Sequence, residues 1–195
     1  MRRFATFVAL GLLAAACTAS SERDTTDPEA SPSSSVAPTT TTSTTTSTLP
    51  TFVAGAAGIG DDYYTSLGNG GYDVEHYHLD ITYADDGTVD ASVAITDTAT
   101  DNLESFNLDF TGWQIERLEL NDDTPEYVRD GEELIVGPVE ILAGESFEAV
   151  LQYSGTPGPI VSSAIPFGIG WQTGPEGEQF VAAEPDAAHS WFPSN

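Results

Sequence analysis

From residue 51 onward the sequence predicts an all-β domain of antiparallel strands, and three observations predict it. Apolar and polar residues alternate with period two in one short segment after another, the pattern of strands that bury one face. Clusters of Gly, Asp, Asn and Pro separate these segments, as tight turns require. No stretch after residue 50 carries the 3.6-residue apolar period of an amphipathic helix. Several strands at this spacing, with no helices between them, imply a sheet structure of the sandwich or saddle kind.

The elements follow in order. In YDVEHYHLDITY, Tyr77, Leu79, Ile81 and Tyr83 share one face, and His76, His78, Asp80 and Thr82 share the other. Asp85-Asp86-Gly87 makes a turn, and Val89, Ala91, Val93 and Ile95 alternate with Asp90, Ser92, Ala94 and Thr96 on the return strand, so a hairpin is predicted. Phe106, Leu108 and Phe110 mark the next strand, and residues 115–120 another. Asn121-Asp122-Asp123 turns the chain toward Tyr127-Val128-Arg129, and Leu134, Ile135 and Val136 follow Asp130-Gly131. Phe147, Ala149, Leu151 and Tyr153 alternate before SGTPGP ends the pattern. Residues 155–183 are rich in Gly and Pro and read as loop, with one or two short strands around Ile169 and Trp171 and around Phe180 and Val181.

The segment before this domain is of another character. Arg2 and Arg3 precede a short apolar run from Phe4 to Ala16, too short to cross a bilayer, which takes about 20 apolar residues. Residues 1–16 therefore read as a cleaved export signal. Cys17, the single cysteine, follows at once, and LLAAAC resembles a bacterial lipoprotein box with Ala14 where leucine is commoner. That resemblance implies lipidation at Cys17 and a protein anchored to a membrane without spanning it; the plain alternative is a secretory signal with an incidental cysteine. Residues 17–50 are almost all Ser, Thr, Pro and Ala, with a TTTTSTTTST run. They offer too little apolar surface to offset the entropy of ordering them, and are expected to be a disordered tether.

Composition narrows the functions. The chain has 31 acids, five basic residues and a formal net charge of −26. All five basic residues are arginines, and only Arg117 and Arg129 lie after residue 50. Binding a phosphate backbone needs Lys and Arg to release counterions, so no nucleic-acid partner is expected. Residues 51–195 contain no cysteine, hence no disulfide and no thiolate metal site.

Motifs with chemistry are few. His76 and His78, two apart on one strand face with Asp80 beside them, have a spacing that can hold a metal, but two solvated imidazoles are the favoured reading. Residues 85–90 lack the length and closing glutamate of a calcium loop, and a hairpin turn explains them better. H-E-x-x-H, G-x-S-x-G and a phosphate-cradling glycine loop are all absent. In the final segment Glu184 precedes Pro185 and an aromatic pair, Trp191-Phe192, a setting in which a carboxylate could meet a cation or be one acid among many.

Three stretches, GNGGYDVEHYHLDITY, SFNLDFTGWQIERLELND and EPDAAHSWFPSN, resemble in order and spacing the aminopeptidase-N type (gluzincin) of zinc metallopeptidases. The resemblance covers about residues 62–195. Members of that family carry a Thr-Gln-x-Glu segment followed by Phe-Pro-Cys-x-Asp; residues 181–184 here align with the first and Phe192-Pro193-Ser194-Asn195 with the second. The resemblance implies that residues 51–195 are the family's N-terminal saddle-like β domain, incomplete at its C-terminal end, in a truncated lipoprotein. It further implies a thermolysin-like catalytic domain as partner, with zinc whose ligands lie outside this chain, and peptide N-termini as substrates. Glu184 would then bind the substrate's free α-amino group, with no catalytic and no metal residue in the chain itself. Ala182 replaces the usual Gln, Ser194 the usual Cys, and His189 stands near the usual Arg. The competing expectation is a stand-alone acidic β-sandwich binding module on a bacterial surface.

Overall fold

The computed structural model describes residues 49–162 and 165–195. The expectations for the export signal, Cys17 and nearly all of the tether fall outside the described residues. Those residues form thirteen strands: β1 (Val53–Ala54), β2 (Ala56–Ala57), β3 (Asn69–Gly70), β4 (Tyr72–Tyr83), β5 (Val89–Ala99), β6 (Leu103–Asp109) and β7 (Gln114–Leu120). They continue as β8 (Tyr127–Asp130), β9 (Glu133–Val136), β10 (Ser146–Gly155), β11 (Pro159–Val161), β12 (Gly168–Thr173) and β13 (Gln179–Ala182), and a single 3-10 turn spans Ala188–Ser190.

Two four-stranded sheets make the body, one ordered β4-β5-β10-β7 and the other β1-β6-β9-β8. The alternation read from the sequence sets which side chains meet between them. Val93 and Ile95 of β5 and Phe147, Ala149 and Leu151 of β10 are sealed from water, as are Phe106 and Leu108 of β6 and Leu134 and Val136 of β9. The register puts Phe106 opposite Val136 and Leu108 opposite Leu134, so these four share a face. Phe106 crosses the gap to Phe147 at a centroid distance of 5.2 Å and to Tyr72 at 5.8 Å. Burying one such side chain contributes about 1.5–3 kcal/mol, and the fold is all-β and sandwich-like.

The predicted hairpin is present: β4 and β5 pair antiparallel from Tyr72–Ala99 to Tyr83–Val89 with one irregularity between Val74 and His76. Asp86 closes its turn by accepting the Thr88 N–H at 3.0 Å and the Thr88 hydroxyl at 2.6 Å. Its carboxylate is thus spent on the turn.

Two features differ from the sequence expectation. The short strands expected around Ile169 and Trp171 and around Phe180 and Val181 are present as β12 and β13, but they join β11, which was not expected, in a three-stranded antiparallel sheet, β11-β12-β13. The reason is long-range: Trp171 of β12 packs on Trp113 at 6.5 Å, on Trp191 at 6.5 Å and on Tyr83 at 6.3 Å. Aromatic anchoring from distant strands orders a segment whose local composition favours loop. In addition, β1 joins β6 in parallel, an exception to the antiparallel pattern held by backbone bonds such as Val53 N–H to Asn102 O at 2.9 Å and by Asn102 Nδ2 donating to Thr51 O at 3.2 Å.

Candidate functional site

Glu184 lies just past β13, and its peptide bond to Pro185 is cis. The turn around it is closed by Ala187 N–H to Ala183 O at 2.7 Å. Beyond it the chain is fastened at short intervals. Ser162 Oγ donates to Asp186 Oδ2 at 2.9 Å and Ser190 Oγ donates to Ala187 O at 2.7 Å. Trp113 Nε1 donates to Ser190 O at 2.8 Å, and Thr111 N–H donates to His189 O at 3.0 Å. Asp109 and Ser194 exchange both backbone bonds, at 2.8 and 3.0 Å, and Asn195 N–H reaches the Tyr77 hydroxyl at 2.9 Å. Phe192 packs edge-on against Tyr77 at 5.6 Å and against Trp191 at 4.5 Å.

One glycine makes this packing possible. Gly170 of β12 has φ +89, and a Cβ there would stand 2.6 Å from Ser190 Oγ. Only glycine lets the strand pass this close to the turn in that conformation.

Within this fastened segment Glu184 is exposed, and among the described residues it has no hydrogen-bond or ion-pair partner. A carboxylate that stabilises no neighbour, carried on a backbone held from both sides, is free to accept hydrogen bonds from a ligand cation. Ala182 is also exposed, and its methyl group offers that ligand no polar contact. His189 and Ser194, the two departures further on, are 4% and 8% exposed.

The histidine pair is elsewhere and open. His76 and His78 lie on the outer face of the β4-β5-β10-β7 sheet, both exposed. His78 Nε2 is 3.4 Å from Asp80 Oδ2, with the two side chains 68% and 78% exposed. Among the described residues no group of three or more His, Cys, Asp or Glu is placed to hold a metal ion, so the chemistry of a zinc site does not fit the side chains described. Among the described residues no helix is long and apolar enough to cross a membrane.

Sequence reasoning passed over Asp97, which continues the buried face Val93, Ile95, Asp97, Ala99 of β5 and is fully buried with neither carboxylate oxygen hydrogen-bonded. Burial, and next the Glu75 carboxylate, push its pKa up to about 7. The signal was an acid standing in register with the apolar positions.

No protein-family model matches the chain, and no curated protein matches it. Solved structures do. The M1 zinc metallopeptidase from Deinococcus radiodurans is 28% identical over 71% of this chain and 32% of that one, with a TM-score of 0.63. A mutant of the same enzyme bound to a Tyr-Ser-Ala substrate is 27% identical over 70% and 32%, again with a TM-score of 0.63. Yeast LTA4 hydrolase in complex with bestatin, 14% identical over 64% of this chain and 20% of that one with a TM-score of 0.50, shows the fold alone. The chain spans about a third of the length of the bacterial metallopeptidase structures it matches. Motif resemblance and structural similarity agree: the folded part is similar to M1, aminopeptidase-N type zinc metallopeptidases, consistent with an N-terminal domain of such an enzyme.

Proposed function

We propose that residues 51–195 are the substrate-recognising N-terminal domain of an exported zinc aminopeptidase that removes N-terminal residues from peptides. The observation that carries this reading is Glu184, an exposed carboxylate without a partner among the described residues, on a segment tied down before and after it. It occupies the position at which the family resemblance implies the amine-binding acid. In this role Glu184 accepts charge-assisted hydrogen bonds from the substrate's α-ammonium group. Fixing the terminal amine sets the first peptide bond at a constant distance from the reacting centre and so selects exopeptidase action. The zinc of the parent enzyme polarises the scissile carbonyl and activates water when bound; its ligands are proposed to come from a catalytic domain outside this chain. The full-length gene product tests the reading by hydrolysing aminoacyl-nitroanilides while rejecting their N-acetylated forms. Absence of that discrimination would refute it.

We further propose that Cys17 carries the lipid that anchors the protein to the bacterial membrane with its domain facing outward. Support comes from LLAAAC after an apolar run and from the long polar tether that follows. Metabolic labelling with radioactive palmitate in a bacterial host should tag the protein, and Cys17→Ser should remove the label. Export of an unlabelled soluble form from the unmutated gene would overturn the anchor.

A further inference from the structure

The apolar face of β4 outruns the sandwich. Tyr77, Leu79, Ile81 and Tyr83 alternate along one side of the strand. Tyr77 and Leu79 are half-buried and packed on the core, whereas Ile81 and Tyr83 at the strand's end are 40% and 44% exposed. Aromatic contacts carry the same surface across to residues 191 and 192. Tyr83 stacks on Trp171 at 6.3 Å, and Trp171 meets Trp191 at 6.5 Å. Phe192 then joins Trp191 at 4.5 Å to Tyr77 at 5.6 Å. Val181 stands opposite Trp171 in the β12-β13 ladder and is 38% exposed.

None of these side chains carries a charge, in a chain whose formal net charge is −26. Contiguous exposed apolar surface of this kind marks an interaction site. A second copy of the chain does not suit it, because two bodies of such like charge repel. A covalently joined domain does. The chain matches only 32% of the length of the bacterial M1 structures, so most of the polypeptide in those enzymes lies outside the part it resembles. The patch also has the position that such a domain needs. Asn195 N–H donates to the Tyr77 hydroxyl at 2.9 Å, so a domain following Asn195 starts at the rim of the patch. Val181 and Trp191 flank Glu184 in the sequence, so a domain seated on them lies beside that carboxylate.

We propose, resting on the aminopeptidase reading above, that Ile81, Tyr83, Val181 and Trp191 are the apolar anchors on which the catalytic domain of the same polypeptide seats. Their exposed parts fall well short of the roughly 800 Å² per side that a stable interface buries. They therefore form the centre of a larger contact whose rim is polar. Seating on this patch fixes the distance between Glu184 and the reacting centre. Ile81 and Tyr83 thus act as positioning residues, although they touch neither the substrate amine nor the reacting atoms.

Hydroxyl-radical footprinting of the 195-residue chain and of the full-length gene product tests this without any substitution. Ile81, Tyr83 and Trp191 should be oxidised several-fold more slowly in the full-length product. Tyr127, 40% exposed on β8 of the other sheet, should react alike in both. Equal oxidation of the patch in the two proteins would overturn the proposal. Protection already present in the 195-residue chain and growing with its concentration would overturn it too, by assigning the patch to a second copy. In the full-length product, Ile81→Asp should lower kcat/KM for aminoacyl-nitroanilides about tenfold, as loss of one interface anchor does, and Tyr127→Ser should leave it unchanged. Unchanged kcat/KM in Ile81→Asp would remove its positioning role. Protection of the patch in a product that hydrolyses no aminoacyl-nitroanilide would uphold the surface and refute the aminopeptidase reading, so the two fail separately.

Discussion

In the sandwich, Phe106, Leu108, Leu134 and Val136 of one sheet meet Ile95, Phe147 and Leu151 of the other, all sealed from water. From Ala183 to Asn195 the chain is fastened instead by backbone bonds to Thr111 and Asp109, by the Trp113 indole and by aromatic edges, and Glu184 is left in solvent. The first region uses its side chains on one another; the second uses its neighbours to hold a backbone, pairs Asp186 with Ser162, and spends no partner on Glu184. A residue whose removal disturbs stability and one whose removal disturbs only recognition should therefore fall in different regions.

Core truncation is the strongest way to break that comparison. Phe106→Ala removes a ring that is fully buried between the sheets, and should cost about 3–5 kcal/mol in urea unfolding. Phe180→Ala, on a strand residue that is 49% exposed, should change stability by no more than about 0.5 kcal/mol. Equal losses in the two variants would mean that the small sheet is as tightly built as the sandwich.

The two acids of contrasting burial sharpen it next. With its pKa raised to about 7, Asp97 holds a proton in the native state between pH 4 and 7 that the unfolded chain releases. Its contribution is complete below the unfolded pKa near 3.8 and is lost as pH rises through 7. Unfolding free energies measured from pH 4.5 to 7.5 should fall by about 3 kcal/mol through Asp97, and Asp97→Asn should remove that part of the slope, leaving the part due to Glu133, whose carboxyl burial likewise raises to about 7. A slope unchanged in Asp97→Asn would assign it to other carboxyls.

A smaller effect joins the regions. Gly170→Ala places a methyl group against Ser190 Oγ at a position of φ +89, and should destabilise by about 1–3 kcal/mol. Because the strain falls on the turn after Glu184, the proposed aminopeptidase should also lose affinity for peptide amines if Glu184 has the role proposed for it.

Much of the sandwich was legible because its strands bury one face only: the alternation through β4, β5 and β10 gives both strand and facing. Ile81 and Tyr83 show where this runs out, since they continue the apolar face of β4 yet are 40% and 44% exposed at its end. Two strands of the small sheet, around Trp171 and Phe180, were legible; β11 and the pairing of the three were not, because their order comes from Trp171 meeting Trp113 and Trp191, contacts that local pattern does not encode. Glu184 was singled out as a candidate through the spacing of its motif to Phe192-Pro193; nothing about an isolated acid among 31 would have marked it.

The most direct measurement is the steady-state kinetics of Glu184→Ala and Glu184→Gln in the full-length gene product, alongside urea unfolding of each variant. Losing a hydrogen bond to a charged group costs about 1.5–3 kcal/mol, so Glu184→Ala should lower kcat/KM on peptide substrates about ten- to a hundredfold. Glu184→Gln should lose less, since its amide oxygen still accepts the bond, and both variants should unfold as the unmutated protein does. Unchanged kcat/KM in Glu184→Ala at normal stability would contradict the account and leave this domain with a structural part alone.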